Sequence, residues 1–80
     1  MFYSLHFATF VYMDIKQRFG IKIKELRKLK GFSQEKLANL AEIDRTYLPT
    51  IETGKRNVSI EVIERLANAL EVNIKDLFDE

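Results

Sequence analysis

Only three residues, Glu42-Ile43-Asp44, separate two short helix-patterned runs, and that brevity constrains the fold more than any other feature of the sequence. Before the link, Ser33 is a good N-cap for a helix with Leu37, Ala38 and Ala41 on its inner face. After it, Asp44 caps a run over residues 45–53 with Leu48 and Ile51 inward, and Gly54 ends that run. Two helices so closely joined, with one apolar residue in the turn, form a rigid angled pair. The same period continues on both sides. Phe19, Ile23, Leu26 and Lys30 share one helix face and Gly31 follows as a stop, with Phe32 read as core. Ser59 caps a fourth helix carrying the stripe Ile60, Ile63, Leu66, Ala67 and Leu70, and Asn73 caps a last short helix with Ile74, Leu77 and Phe78. From Met13 onward no strand pattern competes. The expectation is an all-α, compact five-helix domain.

A chain of 80 residues supports one domain and one modest core, which makes self-association an expected source of added stability. There is no cysteine and His6 is the only histidine, so disulfides, thiolate sites and His-rich metal sites are excluded; no metal and no cofactor are expected. The cysteine count also fits a cytoplasmic setting. The net charge of +1 says little, but its distribution says more. Lys16, Arg18, Lys22, Lys24, Arg27, Lys28 and Lys30 crowd the first half, and Glu61, Glu64, Glu71, Asp76, Asp79 and Glu80 crowd the end. One face could therefore attract phosphate, although Lys22, Lys24 and Lys28 read as a solvated face with a diffuse electrostatic role. Residues 1–12 differ in kind: they carry no Lys, Arg, Asp or Glu and hold Phe2, Tyr3, Phe7, Phe10 and Tyr12. They are too few to span a bilayer and lack the form of a signal peptide. The chain therefore divides into an apolar extension, 1–12, and a domain, 13–80, with Met13 read as the natural start.

The angled pair carries the functional signal. Its second helix can enter the major groove of DNA while the first crosses the backbone. The outward positions of that second helix are Arg45, Thr46, Pro49 and Thr50. Arg45 has the donors for guanine O6 and N7, and Thr46 and Thr50 can bond base edges or touch a thymine methyl. Tyr47 suits a phosphate or sugar. Ser33 and Gln34 at a helix N-terminus, with Lys55, Arg56 and Asn57 in the following loop, are the other phosphate candidates. Pro49 inside this helix implies a kink or an irregular first turn, because an interior proline costs about 3 kcal/mol. No nucleophile–base pair, metal-ligand spacing or phosphate loop is present, so an enzyme is rejected and no small-molecule substrate is expected.

These residues also resemble a known family. Ser33-Gln34-Glu35-x-Leu37-Ala38, then Asp44-Arg45-Thr46-Tyr47-Leu48-x-x-Ile51-Glu52-x-Gly54, then Leu66-Ala67-x-x-Leu70, resemble the Xre/Cro-repressor family of helix-turn-helix proteins. Within it, Asp44-Arg45-Thr46-Tyr47 with Arg56-Asn57-Val58-Ser59 is similar to the controller proteins of restriction–modification systems. The resemblance implies a lambda-repressor-like fold and a homodimer that binds double-stranded DNA at a palindromic operator, in a bacterial or phage setting. It implies a structural ion pair between Arg27 and Glu52. It also implies a dimer interface at the chain's end, through Ile74, Leu77 and Phe78, setting the two reading helices about 34 Å apart. Rival readings are a phage-like repressor, the antitoxin of a toxin–antitoxin pair, and an adaptor that binds protein but not DNA.

Overall fold

The computed structural model describes residues 13–78; the extension 1–12 lies outside the described residues. Within them the chain folds into four α-helices, α1 (Ile15–Leu29), α2 (Gln34–Ala41), α3 (Tyr47–Glu52) and α4 (Ile60–Leu70), followed by a 3-10 helix, Ile74–Leu77. The last short helix implied by the sequence is thus a single 3-10 turn. Four residues are too few to propagate an α-helix, and the Asp76 carboxylate closes the turn onto the Asn73 N–H at 3.0 Å.

Starts and stops follow local chemistry. Asp14 accepts from the Gln17 N–H while the Gln17 side chain accepts from the Asp14 N–H, a reciprocal cap on α1. Ser33 and Ser59 cap α2 and α4 through the N–H groups of Lys36 and Val62. All four helices end alike, with an N–H bonded five residues back: Phe32 to Arg27, Ile43 to Ala38, Lys55 to Thr50 and Val72 to Ala67. Each such end requires a left-handed residue just before it. Gly31 and Gly54 supply two, and Glu42 (φ 56°) and Glu71 (φ 59°) supply the others.

The core is Phe19, Ile23, Leu37, Ala38, Ala41, Leu48, Ile51, Leu66, Ala67, Leu70 and Leu77, with Leu26, Phe32, Ile43 and Ile63 packed against it. Helix α1 lies against α3, and α2 packs on both α3 and α4, so the short α3 is held from two sides. Ile60 does not join the inner stripe; it is 81% exposed. It occupies the first position after the Ser59 cap, one to three turns before the buried Leu66, Ala67 and Leu70.

Candidate nucleic-acid interface

Helix α3 begins two residues later than the sequence implied. The Asp44 carboxylate accepts from the Thr46 N–H at 2.8 Å and the Thr46 hydroxyl at 2.7 Å, and the Tyr47 N–H bonds the Asp44 carbonyl at 3.0 Å. Residues 44–47 therefore form a tight turn that feeds the helix, and Asp44 caps that turn. Its carboxyl is held below the usual carboxylate range, first by the backbone N–H of Thr46, then by the Thr46 hydroxyl, with Arg45 and Arg56 adding smaller contributions. The late start also places Pro49 in the first turn of α3, where a missing N–H leaves no intrahelical bond unmade. Of the two outcomes the proline implied, the irregular entry is the one adopted.

Two close approaches and one buried pair seat α3 on α1. A methyl group on Gly20 would meet the Ile51 carbonyl oxygen at 2.2 Å, and one on Gly54 would meet the Gln17 Cα at 2.8 Å. Only glycine lets these backbones come so near. Beside them Arg27 (9% exposed) and Glu52 (8%) join in a two-pronged pair, Nε to Oε2 at 2.6 Å and Nη2 to Oε1 at 3.0 Å. Arg27 Nη1 also donates to the Phe32 carbonyl at 2.8 Å, and Gln34 Nε2 donates to Glu52 Oε1 at 3.0 Å. The guanidinium pKa is raised above its ordinary value, mainly by the hydrogen bond to Glu52. Both charges are thus largely satisfied, as burial demands. The node ties α1, the entry to α2 and the end of α3 into one rigid piece.

The turn at the head of α3 faces outward. The Arg45 side chain is 73% exposed and only loosely drawn to Glu35, at 3.8 Å, so it is available to an outside partner. Thr46 is exposed; its hydroxyl donates to Asp44, leaving an acceptor and a methyl group. Thr50 differs from the free outward hydroxyl expected of it. It is only half-exposed, donating to the Tyr47 carbonyl at 2.7 Å and accepting from Arg56 Nε at 2.9 Å. The Arg56 guanidinium lies over the Tyr47 ring, 4.1 Å from its centre. Lys55 and Asn57 are exposed beside it, and Ser33 is exposed at the N-terminus of α2. The Gln34 side chain is half-buried by its bond to Glu52, so part of its donor capacity is already engaged.

At the chain's end the three residues expected to pair two subunits separate. Leu77 is fully buried in its own core, which removes it from any surface, whereas Ile74 and Phe78 remain exposed. Phe78 leans on Phe19, with ring centres 5.3 Å apart. Among the described residues no group of three or more His, Cys, Asp and Glu side chains could hold a metal ion. Nor is any helix among them long and apolar enough to cross a membrane.

Comparison with known proteins places this geometry. A helix-turn-helix family model (HTH_3) matches residues 23–77. The chain belongs to this helix-turn-helix family. Helix α2, the connection over residues 42–46 and α3 are the helix pair that gives the family its name. The control protein C.MunI of Mycoplasma sp. is 47% identical over 68 residues, covering 84% of this chain and 92% of that protein. The crystal structure of the restriction–modification controller protein C.AhdI from Aeromonas hydrophila superposes with a TM-score of 0.76 at 47% identity. That match covers 78% of this chain and 94% of the other. The biofilm regulator SinR, solved in complex with DNA, matches with a TM-score of 0.73 at 37% identity, over 76% of this chain and 98% of that one. This helix-turn-helix protein is therefore all-α and lambda-repressor-like in its arrangement.

Proposed function

We propose that this chain is a DNA-binding transcription regulator of the restriction–modification controller type, acting in the cytoplasm as a homodimer on a palindromic operator. The observation that carries the reading is the outward Arg45–Thr46 turn at the head of α3, held rigid by Asp44 and by the Arg27–Glu52 node behind it. Arg45 offers two parallel donors to a guanine, and Thr46 offers an acceptor and a methyl to its neighbour. Ser33, Gln34, Tyr47, Lys55, Arg56 and Asn57 flank the turn and serve the phosphates, which fix register without reading sequence. The family resemblance and the identity to C.MunI and C.AhdI support the controller assignment. Exposed Ile74 and Phe78 support a second copy at the chain's end, and Ile60 adds a third exposed apolar side chain.

Fluorescence anisotropy of a labelled duplex across a range of salt tests the reading. For a regulator of this kind the logarithm of the binding constant falls linearly with the logarithm of the salt concentration, because phosphate contacts release counterions. Folded protein that binds no duplex even at low salt would overturn it.

A further inference from the structure

We propose that Thr50 is a positioning residue. Its hydroxyl, bonded between the Tyr47 carbonyl and Arg56 Nε, fixes the Arg56 guanidinium over the Tyr47 ring and so presents its terminal amino groups to DNA in a set orientation. The inference rests on the DNA-regulator reading above and deepens it.

Arg56 lies beyond the end of α3, after the left-handed Gly54, in a loop where a long side chain would ordinarily sample many rotamers. Here two contacts restrain it, and a third bond orients one of them. Thr50 Oγ1 accepts from Nε at 2.9 Å, the same hydroxyl is itself oriented by its 2.7 Å bond to the Tyr47 carbonyl, and the Tyr47 ring supports the guanidinium plane at 4.1 Å. These contacts use Nε and the face of the group. Nη1 and Nη2 have no hydrogen-bond partner among the described residues, which leaves both as donors to an outside acceptor. Arg56 also makes a small contribution to the lowered pKa of Asp44, so its charge is felt at the turn that bears Arg45 and Thr46. A hydroxyl is needed at position 50 because one atom must both donate and accept. Valine has the same shape and can do neither.

Immobilising an arginine before binding rather than during it is worth roughly five- to tenfold in affinity. Thr50→Val is therefore expected to weaken binding to the tightest duplex recovered from a random library by about that factor, with Thr50→Ser close to the parent. In an Arg56→Ala background the valine substitution is expected to add no further loss, and the melting temperatures of the Thr50 variants to stay near the parent's. In the DNA-free protein, the Arg56 Nε–Hε NMR signal is expected to be sharp and slow to exchange in the parent and the serine variant, and broadened in the valine variant. An equal valine effect with and without Arg56 would overturn the proposal. So would an Nε–Hε signal indifferent to the valine. If the parent bound no duplex, the regulator reading would fail, and the NMR comparison would still decide whether Thr50 holds Arg56.

Discussion

At the scale of single residues, a buried ion pair and one carboxylate set the behaviour of the turn at the head of α3. Arg27 and Glu52 are buried together, with Gln34 and the Phe32 carbonyl taking the remaining bonds. Removing one member leaves the other charge stranded, which typically costs about 3–5 kcal/mol. Arg27→Ala is expected to lose that much in urea unfolding, a large share of the stability of so small a domain. Asp44 acts through pH. Its carboxyl pKa is lowered in the folded state, so its contribution is fully present above the unfolded value near 3.9 and disappears as pH falls through the lower folded value. Stability is therefore expected to drop on acidification below about pH 4, and Asp44→Asn to flatten that part of the profile. Thermal unfolding at stepped pH checks it, and identical profiles would contradict the role given to the cap.

At the scale of elements, α3 is the informative case. Its inward residues Leu48 and Ile51 and its terminal Gly54 were legible from period and composition. Its start was not. Asp44 is a good cap by residue type, but whether it caps a helix or a turn depends on the Thr46 bonds, which no periodicity reports. Pro49 then changes meaning, from an interior breaker to a first-turn residue. Pro49→Ala is accordingly expected to change unfolding free energy by less than about 1 kcal/mol, where relief of an interior proline would give about 3. Helix ends divide the same way. Gly31 and Gly54 announce a left-handed stop, whereas Glu42 and Glu71 adopt it without any sequence signal, because the surrounding hydrogen bonds impose it. Gly20 belongs with these. Its lack of a side chain matters only because α1 and α3 touch there, a fact of packing. The Thr50–Arg56 bond crosses a helix end for the same reason and lies beyond the reach of a helical wheel.

At the scale of the whole molecule, the three scaffold features converge on one output. The buried pair and the two glycine contacts fix α3 against α1, the tight turn aims Arg45 and Thr46 outward, and Arg56 is held at the other end of the same helix. The all-α class, the angled pair and most of the core were legible in the sequence, because short amphipathic helices with clear caps leave few ways to pack. The exposure of the chain's last residues was not legible. The family resemblance put Leu77 in a dimer interface with Ile74 and Phe78, but a 3-10 turn directs that side chain into the core and leaves Ile74 and Phe78 outside.

In the proposed function, α3 reads DNA sequence as one half of a symmetric pair. Selection of bound sites from a random duplex library, run beside an Arg45→Ala, Thr46→Ala double variant, tests it most directly. The expected result is enrichment of a two-fold symmetric site with half-sites about one helical turn apart, lost or relaxed in the variant. A folded parent that enriches no sequence, or a variant that enriches the same site equally well, would contradict the account.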